Sequence, residues 1–223
     1  MTISFGARNP IAYSIRITYV TIDLLSAPVS LAGRQERLRA WATLPKLARR
    51  VVILRIAFGV VWALDAYLKW QPSFVKSFSA TIAAGAQSQP HWLSPWFRFW
   101  RDLIAHAPHV FAYAGAATET LIALGLILGV GRRFLYLGGA IYALFIWSVP
   151  EGFGTPFAPG ATDIGTAIMY AILFAALYAL DVTANAGPWT LDTSLLNRFP
   201  WWRMFGHPGG HALADVYTST EGV

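Results

Sequence analysis

"VFAYAGAATETLIALGLILGV", residues 110–130, is an apolar run with one carboxylate, Glu119, near its centre. Its length matches the ~20 residues a helix needs to cross a ~30 Å hydrocarbon core. A charge at mid-helix costs roughly 2.5–3.5 kcal/mol on insertion scales, so Glu119 must face other helices or carry a proton. Ala112, Gly115, Ala116 and Ala123 share its side of the helix and let a neighbour approach closely.

Composition makes the membrane reading general. Of 223 residues 56% are hydrophobic and only 13% charged, against about 25% charged in a soluble domain. Three more runs read as spans: residues 51–70, 134–149 and 164–182. The expected fold is therefore all-α, a polytopic four-transmembrane-helix bundle over residues 51–182. A cytoplasmic segment, 1–50, precedes it and a cytoplasmic tail, 183–223, follows.

The net charge of +6 does not point to nucleic acid, because the basic residues form no aromatic-interleaved patch. They gather at the ends of the apolar runs. With the N-terminus inside, Arg8, Arg16, Arg34, Arg37, Arg39, Lys46, Arg49, Arg50, Arg132, Arg133, Arg198 and Arg203 are cytoplasmic. Lys69, Lys76, Arg98 and Arg101 remain outside, so both termini are placed in the cytoplasm. The first 30 residues lack the pattern of a secretory signal, and insertion is expected through the first span.

Two regions outside the spans are amphipathic. "IRITYVTI", residues 15–22, alternates like a short strand and equally fits a surface helix; "RQERLRAWATLPKLARR", residues 34–50, reads as a basic juxtamembrane helix kinked at Pro45. "HWLSPWFRFWRDLIAHAP", residues 91–108, reads as an aromatic-rich helix on the outer interface, within a loop of about 40 residues.

The absence of cysteine removes thiolate metal sites, iron–sulfur clusters and disulfide exchange from the chain itself. His106 and His109 have a ligand-like i, i+3 spacing, with His91 upstream. Pro108 interrupts any helix that would align them, so no metal site is assigned.

The remaining candidates are charges in or beside the spans. Asp65 and Lys69 sit one helical turn apart, a favourable carboxylate–ammonium spacing, near the outer end of the first span. Arg55 lies toward its inner end. Glu119 lies some 10–15 Å in depth from either basic residue at about 1.5 Å rise per residue, so the sequence leaves their pairing open. In "GATDIG", Thr162 or Asp163 reads as the N-cap of the fourth span. The preceding loop, "PEGFGTPFAPG", could fold over the bundle mouth and, with Asp65, Lys69 and Glu151, roof an outer-facing cavity.

Taken together, "RIAFGVVWALDAYLKW" (55–70), "ATETLIALGLILGVGRR" (117–133) and "GFGTPFAPGATDIGTAIMYAILFAAL" (152–177) resemble the DoxX/DoxD-like membrane protein family. The last stretch is the most specific, and the likeness spans about residues 50–181. One member of that family, DoxD, is the small subunit of a thiosulfate:quinone oxidoreductase. The resemblance implies a four-helix bundle in a bacterial or archaeal cell membrane, associated with respiratory or redox complexes.

Three functions compete. In the first, a quinone-linked redox subunit, Glu119 and Asp163 exchange protons while Arg55, Asp65, Lys69 and Thr162 form a quinone-binding or polar-network site. Electrons come from a partner. In the second, the chain is a non-catalytic accessory or assembly subunit whose buried charges fix helix register. A small transporter or proton channel ranks last, since four short spans without an inverted repeat leave little room for alternating access. Other membrane subunits, or further copies of this chain, are the expected partners besides lipid.

Overall fold

The computed structural model describes residues 46–184 and 190–206, without the side chain of Arg203. The segment expected at 15–22, all but the last five residues of the helix expected at 34–50, and residues 185–189 and 207–223 of the tail lie outside the described residues.

Every regular element among the described residues is helical. The main helices are α1 (Lys46–Lys69), α2 (Pro72–Gly85), α3 (Ser94–Ala105), α4 (Pro108–Leu128), α5 (Arg132–Ser148), α6 (Ala167–Ala184), α7 (Leu191–Arg198) and α8 (Arg203–Gly206). Helices α1, α4 and α6 are long and apolar enough to cross a membrane. Helix α5, at 17 residues, is shorter. Outward faces such as Ile53, Val60, Leu64, Leu121, Ile141 and Ile172 are apolar and exposed, as suits lipid.

Helix α1 packs most extensively on α4, and α5 on α6. Gly59 allows the first contact, because a Cβ there would stand 2.8 Å from the Ile127 side chain. Between the pairs lies an apolar core of Phe58, Trp62, Ile122, Leu126, Tyr136, Phe174 and Leu177. Phe174 meets Phe58 edge to face at 4.9 Å and lies 5.6 Å from Trp62.

The four long helices share a level at one end, here the tail end. There Arg55 approaches Gly129, Arg132 binds Asp181, and Ala184 packs on Ala48, Val51 and Val52. The start of α1 and the end of α6 therefore meet at one end of the bundle. The α4–α5 turn is built for this approach: Gly129 and Gly131 have φ of 68° and 61°, and a side chain at 129 would collide with the Arg55 guanidinium.

Measured from that level, α1 and α6 each run fourteen residues to Lys69 and Ala167, about 21 Å, while α4 runs twenty-one residues to Pro108, about 32 Å. The outer part of α4 is covered instead by α2. Pro72 starts α2 and holds Gln71 extended at φ −70° and ψ 139°, so the chain breaks after Lys69. Helix α2 then packs along α4, and Gly85 meets the Val149 and Pro150 carbonyls. This corrects two expectations: residues 72–85 are a helix rather than loop, and Lys69 is level with the middle of α4 rather than its outer end.

At the loop end, α3 takes the amphipathic form expected of it. It buries Phe97 and Ile104, while Trp100 packs on Phe145 at 4.8 Å and Trp92 stays exposed. The 152–166 loop folds back through Trp147 Nε1, which donates to the Ile164 carbonyl at 2.6 Å, and Gln89 Nε2, which donates to the Gly152 carbonyl at 2.8 Å.

Candidate functional site

Two polar centres lie inside this apolar frame. The first surrounds Glu119, which has no exposed side-chain surface. Its burial follows from the small residues on the same stripe, since Ala112, Ala116 and Ala123 are themselves buried against neighbouring helices. Lys69 Nζ lies 2.5 Å from Glu119 Oε1 and 3.1 Å from Asp65 Oδ2. The pairing left open by the sequence is thus a direct contact. Because α1 ends at Lys69, the lysine also stands at the negative end of a helix dipole.

Tyr142 of α5 completes the group. Its hydroxyl lies 3.3 Å from Glu119 Oε1 and 3.4 Å from the Gly115 carbonyl. Tyr170 of α6 is within electrostatic reach of Asp65, Lys69, Glu119 and Glu151. Among the described residues, by contrast, Glu119 Oε2 has no hydrogen-bond partner, and neither does the buried Trp62 Nε1. Buried polar atoms are rarely left so, and an orphaned carboxylate oxygen is ready to take a proton or a donor. Fully ionised, the triad of two carboxylates and one ammonium carries a net negative charge.

The second centre closes the tail end. Arg132 Nη1 contacts both Asp181 oxygens, at 2.7 and 2.8 Å, and its Nε donates to Asp192 Oδ2 at 3.1 Å. Tyr136 donates to Asp181 at 3.0 Å. Asp192 also accepts from the Gly131 N–H at 2.7 Å, the Arg132 N–H at 3.2 Å and Trp202 Nε1 at 2.8 Å. It thereby caps the start of α5, where a helix dipole favours an anion. Arg55, 2% exposed, faces the same acids. Two arginines and two aspartates balance one another here.

Sequence reasoning missed this second network. Arg55 belongs to it and not to the Glu119 group, from which fourteen residues of α1 separate it, about 21 Å. Residues 191–206 of the supposed tail pack on the bundle through Asp192 and through Phe205, whose ring lies 5.0 Å from that of Phe134. Signals existed in the apolar context of Asp181 and in the Asp192–Trp202 pair, but their partners lie 49 to 61 residues away.

The expected cap of the last long helix is also corrected. Helix α6 begins at Ala167, and the Glu151 carboxylate accepts its first N–H at 3.0 and 3.2 Å. Glu151 reaches it because Trp147 ties α5 to the loop just ahead of α6. Asp163 instead accepts from the Gly165 N–H at 2.7 Å, and both Thr162 and Asp163 are exposed. Of the predicted site residues, Asp65, Lys69 and Glu119 come together, whereas Arg55, Thr162 and Asp163 stand apart from them.

The candidate histidines His91, His106 and His109 are exposed. His106 follows α3, with Nδ1 2.6 Å from the Asp102 carbonyl, and His109 lies in the first turn of α4. Among the described residues no three His, Cys, Asp or Glu side chains are grouped to hold a metal.

Near the first centre, at the loop end, lies an apolar groove of about 580 Å³ lined by Trp96, Ile141, Leu144, Phe145, Trp147 and Phe153 among others. Phe145 stacks on Tyr142 with ring centroids 6.3 Å apart, so the groove adjoins the tyrosine that binds Glu119.

No curated protein and no solved structure matches the chain. Residues 50–151 match the sequence model of the DoxX family. The match contains Arg55, Asp65, Lys69, Glu119, Arg132, Tyr142 and Glu151 but stops short of the 152–177 stretch, which had looked the most specific. With α1 to α5 falling almost wholly inside it, the match supports a DoxX-like assignment for this segment of the chain.

Proposed function

We propose that this DoxX-like chain is a membrane subunit of a respiratory or redox complex, and that Glu119 exchanges protons with a quinone held against the bundle. In this reading α1, α4, α5 and α6 are the four spans of a bacterial or archaeal cell-membrane protein, with both termini in the cytoplasm. The observation that carries it is the orphaned Oε2 of a fully buried glutamate whose other oxygen is fixed by Lys69 and Tyr142.

The residues present fit such a ligand. The groove beside Phe145 offers aromatic and aliphatic walls for a ring and an apolar tail. Tyr142 links that wall to the carboxylate, and Trp62 supplies an unpartnered donor in the adjoining core. A quinone takes up two electrons and two protons on becoming a quinol, and the electrons come from a partner redox protein. Glu119 gives or receives one of those protons at Oε2. Lys69 holds Glu119 Oε1 and places a positive charge where an oxygen becomes negative. The surrounding apolar core excludes water.

Native purification with quinone extraction tests the proposal. Glu119→Gln is expected to assemble with its partners and retain quinone while losing quinone-coupled turnover. A complete complex without quinone, in which Glu119→Gln keeps full turnover, defeats it.

A second reading, an accessory subunit without chemistry, draws support from the Arg132–Asp181–Asp192 network. With Arg55 beside it that network is charge-balanced, as a register-fixing device should be. It predicts that Glu119→Gln fails at assembly rather than at turnover.

A further inference from the structure

The polar surroundings of Glu119 are one-sided. Glu119 is 0% exposed, Lys69 19% and Asp65 37%, and each touches the next. Both α1 residues lie within about a turn of where α1 and α6 stop, because Arg55 and Asp181 share a level and fourteen residues follow or precede each. This more exposed end therefore lies at the seam of α1 with the first turn of α6, where Tyr170 and Glu151 stand.

Toward the tail end the path is closed. Phe58, Trp62, Ile122, Leu126, Phe174 and Leu177 fill the core between Glu119 and Arg132. From Glu119 to Gly129 is ten residues of α4, about 15 Å. Beyond this plug, Arg132 is paired with Asp181 and Asp192, and Arg55 faces the same acids. The titratable groups that do face Glu119 are Asp65 and Lys69 from α1, Tyr142 from α5 and Tyr170 from α6.

We propose that Asp65 and Lys69 form a proton relay joining Glu119 to the loop-end face alone, so that protons exchanged at Glu119 enter and leave on one side of the membrane. This rests on reading Glu119 as the proton-exchanging group and adds the direction of exchange. The step balances without an external reactant. Starting from protonated Asp65, the Lys69 ammonium and the Glu119 carboxylate, one Lys69 N–H bond breaks as an O–H bond forms on Glu119. The Asp65 proton then passes to the Lys69 amine. The result is the Asp65 carboxylate, the Lys69 ammonium and protonated Glu119. A lysine suits this place because an ammonium can give up a proton when buried, whereas a guanidinium does not.

Infrared difference spectroscopy on the full chain, reconstituted in uniformly oriented phosphatidylcholine vesicles without quinone or partner, tests the relay. The protonated-carboxyl band of Glu119 is identified by its loss in Glu119→Gln. A pH step on the loop-end side is expected to change that band, and a step on the tail-end side to leave it unchanged. Lys69→Arg, which keeps the charge, and Asp65→Asn, at the half-exposed entrance, are each expected to slow the response by about a hundredfold, the lower range for losing a positioned proton-transfer group. An equal answer from both sides, unslowed response in both variants, or a Glu119 band that never appears at any pH the fold tolerates overturns the relay. A chain that passes yet retains no quinone in its native complex defeats only the quinone reading.

Discussion

Lys69→Met probes the central claim because the two partners of the buried pair are unequally supported. The substitution keeps an unbranched stem but leaves fully buried Glu119 with the Tyr142 hydroxyl at 3.3 Å as its side-chain partner. Breaking a buried pair from one side costs about 3–5 kcal/mol. Glu119→Gln removes the opposite charge, but Lys69 keeps Asp65 at 3.1 Å and the amide oxygen still accepts. Exchanging a charged hydrogen bond for a neutral one costs about 1 kcal/mol. The double variant leaves neither charge stranded, so its cost should fall about 2 kcal/mol or more below the sum of the singles. Unfolding by sodium dodecyl sulfate from maltoside micelles, run on all four chains, measures each term. Equal single costs, or additivity within about 0.5 kcal/mol, would refute the idea that Lys69 neutralises Glu119 inside the bundle.

The same unfolding assay checks the helix cap: Glu151→Gln should lose about 0.5–2 kcal/mol, and Asp163→Asn, on an exposed loop, less than about 0.5 kcal/mol. The reverse order would return the cap to Asp163. Gly129→Ala should destabilise by about 1–3 kcal/mol, through its φ of 68° and the crowding of Arg55. An unchanged midpoint would mean the turn relaxes freely. Asp192→Asn weakens a charge-assisted bond to Arg132 by about 1.4 kcal/mol, so limited proteolysis within residues 190–206 should speed up about tenfold. Unaltered cleavage would show that Phe205 and Trp202 hold this segment without it.

Much of this architecture is legible along the chain because apolar runs and isolated charges are local signals. The run at 110–130 foretells α4 and the burial of Glu119, and the spacing of Asp65 and Lys69 foretells their ion pair. Helix α2 is harder to read, since "PSFVKSFSATIAAG" mixes Ser, Thr and Lys into an apolar stripe. Its helix sets the level of Lys69, so misreading it places the lysine too far from Glu119. The tail-end network is harder still. Asp181 looks like the polar end of a span and Asp192 like part of a tail, and only the packed bundle brings either to Arg132. Thr162 and Asp163 have capping chemistry, but the loop runs on to Ala167 before the helix forms. A residue from the preceding helix turn then claims the position.

The closure of the tail end has a bearing on how the protein is made. Arg132 is translated 49 residues before Asp181 and 60 before Asp192, yet it becomes fully enclosed only with both. While α5 emerges, its first residue must therefore remain clothed by water or headgroups. Biogenesis thus acquires a built-in final step. The domain locks when Asp192 leaves the ribosome, and a chain cut short before Asp181 carries an unmatched cation that marks it as unfinished.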